Sequence, residues 1–105
     1  MILENGEVVL YRNENEFRRG RDLLFEYGYK FYHGGSLMEA FSQKGMRFVK
    51  QSEYPQCIAT LGSDMLNNKT DSRIHISSEG WYDIVSLSEM IDRLHRSEIA
   101  VEDLL

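Results

Sequence analysis

Three histidines, one cysteine and one glycine pair are the residues whose types could do chemistry in this chain. In each case the spacing argues against it. His33, His75 and His95 lie 42 and 20 residues apart, and no His-x-x-x-His or Cys-x-x-Cys pair occurs. A metal needs clustered ligands, so neither a metal site nor a cofactor is expected. Cys57 sits in the apolar run Gln-Cys-Ile-Ala-Thr-Leu, where a thiol behaves as a small buried hydrophobe. A nucleophile must be held by a base, and no Gly-x-Ser-x-Gly elbow is present. The residues give no ground for calling the chain an enzyme.

Two weaker constellations remain. Gly34-Gly35-Ser36 precedes a helical pattern, and backbone N–H groups at such a place can receive an anion. Lys30 and His33 add donors, so a small-ligand binder sequestering a phosphorylated nucleotide signal is one alternative. The Gly-Lys-Ser/Thr ending of a phosphate loop is absent, and a plain turn before a capped helix explains the same residues. Arg18, Arg19 and Arg21 give the first helix a basic side, a second alternative, for single-stranded nucleic acid. Glu14, Glu16, Asp22 and Glu26 stand at pairing distance on the same helix and neutralise much of it.

The chain holds 105 residues, of which 42% are hydrophobic and 11% aromatic. That is enough for one compact core and too aromatic for a disordered segment. The formal net charge is −5, unevenly spread: residues 1–52 carry 8 Lys/Arg against 7 Asp/Glu, and residues 53–105 carry 4 against 10. Such a balance disfavours general affinity for nucleic acid and fits a basic partner, although a solvated polar face explains it as well. Tyr32, Trp81 and Tyr82 supply aromatics of the kind that anchor protein interfaces, and Glu79, Asp83 and Asp92 supply acid. These six form the candidate protein interface. The aromatics also fit a role in closing the ends of the core. A single cysteine and an opening Met-Ile-Leu-Glu-Asn-Gly-Glu without a basic, apolar leader favour a cytoplasmic location. No apolar run approaches a membrane span.

These residues need elements to position them. Glu7–Arg12 reads as a strand after the Asn5-Gly6 turn. Asn13 and Glu16 have capping-box spacing, and Phe17, Gly20, Leu23, Leu24 and Tyr27 share a stripe of a helix that Gly28 ends. Residues 29–33 alternate as a strand, with Tyr29 and Phe31 on one side and Lys30 and Tyr32 on the other. A short helix is expected from Ser36 to Gly45. Strands follow at 46–50 and 56–61, the latter central by its near-continuous apolarity. Residues 62–72 read as a loop, 73–85 as a hairpin, and 86 onward as a helix that Ser97 recaps. Clustered consecutive strands predict an α+β domain spanning 1–105, a mainly antiparallel sheet of about five strands with two or three helices packed on it.

Asn15-Glu16-Phe17, Leu23-Leu24, Gly28-Tyr29-Lys30-Phe31 and Gly34-Gly35, with the later Ile84-Val85-Ser86-Leu87-Ser88-Glu89-Met90, resemble small uncharacterised domains encoded by bacteriophages and mobile elements. In those a Trp is usual where Phe31 stands. The resembling residues are caps and core positions, so they transfer no functional site. The resemblance implies a phage accessory protein in the host bacterial cytoplasm. Such proteins act by binding and inhibiting a host protein, in host takeover or anti-defence; the acidic second half of this chain adds a face that mimics nucleic acid toward a basic or nucleic-acid-binding partner. Self-association is left open.

Overall fold

The computed structural model describes residues 2–32, 46–76 and 80–104, with the side chains of the last helix described through Ser97. The helix expected between Ser36 and Gly45, and with it His33, Gly34, Gly35 and Ser36, falls outside that range, as does Glu79. The elements run β1 Glu7–Leu10, α1 Glu14–Glu26, β2 Lys30–Phe31, β3 Met46–Val49, β4 Cys57–Leu61, β5 Arg73–Ile76, β6 Gly80–Val85 and α2 Leu87–Leu104. Short 3₁₀ turns cover Gln51–Glu53 and Ser63–Asn68. The α+β class holds.

The sheet has six strands in the order β2-β3-β4-β1-β6-β5. β2–β3, β3–β4 and β5–β6 are antiparallel, whereas β1 lies parallel to both β4 and β6. The sheet is therefore mixed, with β1 and β4 at its centre. Val8, Val9 and Leu10 show why β1 takes that place: all three are buried, and they face both sides of the sheet. An unbroken apolar run is what a strand covered on both faces requires. A strand already central by composition displaces β4 and β5 from the adjacency that their sequence order implies.

α1 and α2 pack on one face. Phe17 and Leu24 of α1 and Leu87, Met90 and Leu94 of α2 form one cluster with Val9, Phe48, Ile58 and Val85 from the sheet. Both ends of α1 are secured as its sequence predicts. Asn13 accepts the Glu16 N–H through its side chain at 2.9 Å, and Glu16 reaches back to the Arg12 N–H at 3.1 Å. At the other end Gly28 adopts φ +89°. Its N–H donates to the Phe25 carbonyl at 3.1 Å and the Tyr29 N–H to the Leu24 carbonyl at 2.9 Å, the paired bonds of a Schellman cap. Ser86 caps α2 by accepting the Glu89 N–H at 3.1 Å. Ser97 does not restart the helix, which runs through it to Leu104.

Gly20 permits a close approach of helix to strand end. The fully buried Tyr11 ring lies on it: a Cβ at Gly20 would stand 2.6 Å from the Tyr11 hydroxyl oxygen and 2.7 Å from Cε1. The Tyr11 hydroxyl lies near Thr60 but meets no hydrogen-bond partner among the described residues, and the Thr60 hydroxyl donates instead to the Met46 carbonyl at 3.3 Å.

The opposite face carries a second, smaller cluster of Val8, Leu10, Leu61 and Ile74. The stretch expected to be a loop covers it: of the two courses open to its apolar Met65 and Leu66, packing back or sitting exposed, they take the first and pack onto these residues.

Candidate functional site

The hairpin β5–β6 forms one margin of the sheet. Its register sets His75 opposite Trp81 and Arg73 opposite Asp83, and cross-strand partners share a face. Trp81 is 48% exposed. The Arg73 guanidinium lies 5.4 Å from its ring centre and the His75 ring meets it edge-on at 5.2 Å. A guanidinium over an indole face is attracted by the ring quadrupole, so the indole is held in one orientation while remaining open to solvent. Asp83 stands 3.6 Å from Arg73. Glu7 continues the same cross-strand row beyond Asp83.

Glu7 belongs to a separate, inward-tied network. Arg93 of α2 donates to both Glu7 carboxylate oxygens at 2.9 and 3.2 Å, to Glu89 at 3.0 Å and to the Ile2 carbonyl at 3.0 Å. These hydrogen bonds hold the Glu7 carboxyl below its ordinary range, against an opposing push from burial. A groove of about 480 Å³ runs past Ile2, Glu4, Glu7, Arg93, Arg96 and Ser97. Its arginines are already matched, Arg96 reaching Glu89 at 3.3 Å, so the groove is a fastening between α2 and the start of the chain.

The five described residues of the expected interface, Tyr32, Trp81, Tyr82, Asp83 and Asp92, are spread over separate parts of the surface. Trp81 and Asp83 share the helix side of β6, whereas Tyr82 points to the other face and packs on the second cluster. Asp92 is exposed on α2. Tyr32 lies at the far margin of the sheet, where it stacks with Tyr54 at 6.4 Å between ring centres and 18° between planes. The electrostatic cost of ionising beside the Tyr54 phenol, together with their hydrogen bond, pushes the Tyr32 phenol up. Arg73, His75 and Tyr54 were missed by the sequence reading. The alternation of residues 73–76 carried the signal for the first two, since hairpin register puts alternate residues beside alternate partners.

The arginine side of α1 is largely self-paired. Arg18 binds Glu14 at 2.7 Å, Arg21 binds Asp22 at 2.9 Å, and the nearby Arg12 binds Glu16 at 2.8 Å. Among the described residues no group of three His, Cys, Asp or Glu side chains is placed to hold a metal, and no helix is long and apolar enough to cross a membrane. His75 is exposed against Trp81, and His95 lies 3.3 Å from the Tyr27 hydroxyl. Cys57 is half-buried rather than enclosed. It pairs in register with Val49 on the face away from the helices. Comparison with known proteins gives no match to any protein family, curated protein or solved structure.

Proposed function

We propose that this chain is a small non-enzymatic protein-binding module that engages its partner through the β5–β6 hairpin around Trp81. The observation carrying this reading is the half-exposed indole, held between Arg73 and His75. Fixing a large aromatic before contact lowers the entropy lost on binding, and such residues dominate interface energies. The neighbouring Asp83 and the acidic balance of the second half select a basic partner surface, such as the cleft of a nucleic-acid-binding protein. On this proposal the partner is a host protein and the outcome its inhibition, in host takeover or anti-defence inside the bacterial cytoplasm, a reading supported by the sequence resemblance to phage and mobile-element domains alone.

Pull-down from bacterial lysate with the immobilised chain tests this. One stoichiometric protein should be retained at low salt. Trp81→Ala and Asp83→Lys should each release it while leaving the circular dichroism spectrum unchanged, and Arg18→Ala should not. Retention of the partner by Trp81→Ala, or failure to retain any protein, refutes the reading.

A further inference from the structure

At the β2 margin of the sheet, remote from Trp81, Lys30, Phe31, Tyr32, Val49, Gln51 and Tyr54 line a concavity of about 560 Å³. That volume lies in the range of small-ligand pockets. Lys30 pairs with Val49, which pairs with Cys57. The Tyr32 N–H donates to the Arg47 carbonyl at 2.9 Å, so the same register sets Tyr32 beside Arg47. Lys30, Tyr32, Arg47 and Val49 therefore share the face away from the helices. Tyr54 rises next to it, 64% exposed, with its ring near-parallel to that of Tyr32.

The charge here runs against that of the whole chain. Net charge is −5, yet between β2 and the end of β4 the only described carboxylate is Glu53, and it accepts the Tyr29 hydroxyl at 2.9 Å. The pocket thus combines a flat aromatic platform, an apolar floor from Val49, an amide at Gln51 and the cation of Lys30. We infer that this pocket binds a free nucleotide, its base stacked on the Tyr54–Tyr32 pair and its phosphates met by Lys30. A base offers a π-face to such a platform whatever its identity, and an ammonium meets phosphate as a point charge. The size of the concavity and the overall negative charge favour one nucleotide over a polyanionic strand.

Isothermal titration calorimetry of the full chain tests the inference with four probes: ATP, adenosine, inorganic triphosphate and a ten-residue oligothymidylate. ATP should bind more tightly than either adenosine or triphosphate. Stacking on an aromatic contributes roughly 1–3 kcal/mol per base, so Tyr54→Ala should weaken ATP roughly 5- to 150-fold. Lys30→Ala should weaken ATP and leave adenosine unchanged. Both side chains are exposed, and an unchanged circular dichroism spectrum confirms that the variants are folded. Trp81→Ala should leave ATP binding intact, which separates this site from the partner surface. Absence of heat with ATP, triphosphate binding as tightly as ATP, insensitivity to Tyr54→Ala, or tighter oligothymidylate binding with a steep salt dependence each overturns it.

Discussion

Gly20→Ala should destabilise the protein, although helix propensity alone predicts the reverse. Replacing a mid-helix glycine by alanine ordinarily gains about 1 kcal/mol. Here the new methyl carbon would stand 2.6, 2.7 and 2.9 Å from the Oη, Cε1 and Cζ of Tyr11, where ordinary contact begins at 3.4 Å. The ring has little room to retreat. It is fully buried, it meets Phe17 edge-on at 5.5 Å, and its backbone N–H is tied to the Leu61 carbonyl at 2.9 Å. Overpacking of this kind costs about 1–3 kcal/mol, and three atoms in conflict place the cost toward the upper end. The net loss should be about 1–2 kcal/mol, or a fall in Tm of about 5–15 °C for a domain of this size. Urea unfolding followed by helix circular dichroism measures it. Tyr11→Leu removes the obstructing ring edge, so in that background Gly20→Ala should turn stabilising by up to about 1 kcal/mol. If Gly20→Ala raises the urea midpoint of the unmodified protein, the close approach of Tyr11 to α1 is refuted.

Tyr11→Phe should leave stability within about 0.5 kcal/mol of the parent or raise it, because the buried hydroxyl it deletes meets no hydrogen-bond partner among the described residues; a loss above about 1 kcal/mol would reveal a hydrogen bond. Glu7 titrates below its ordinary value of 4.5 in the fold, so its contribution is complete above that pH and is lost as pH falls through the folded value. Glu7→Gln should therefore lower the urea midpoint at neutral pH and flatten the decline below about pH 4.5, and parallel curves for the two proteins would dismiss the Arg93 link. Asn13→Ala should cost about 1 kcal/mol by removing the acceptor for the Glu16 N–H, read from the same unfolding curves.

Local chemistry made α1 readable from residue types. Asn13, Glu16 and Gly28 act within a few positions of themselves, so spacing alone specifies the cap geometry. The same holds for the 73–85 hairpin, whose alternation fixes which side chains meet. Pairing between distant segments leaves no such trace. Nothing near Val9 announces that its neighbours are Val85 on one side and Thr60 on the other, and so the parallel centre of the sheet was missed. The unbroken run Val8-Val9-Leu10 did hold a clue, since it suits burial on two faces better than on one. The Tyr32–Tyr54 stack was hidden for the same reason: Tyr54 follows the Gln51–Glu53 turn, and its return toward Tyr32 depends on the β3–β4 connection rather than on any local motif. Met65 and Leu66 stand out as apolar in a polar stretch, but no local pattern says whether such residues pack back or sit exposed; here they close the second cluster.

The placement of β1 also sets a timetable for the molecule. Its two partners come from the middle and the end of the chain, with Val9 beside Thr60 on one side and beside Val85 on the other. During synthesis at about 5–20 residues per second, β1 waits roughly 4–15 s between its own emergence and that of its last partner. Through that interval a strongly apolar strand has both hydrogen-bonding edges open, the condition under which chains stick to one another. Folding must proceed by closing a loop of most of the chain, which makes it slow for so small a domain. β1 stays an open edge until β6 arrives to shut the sheet.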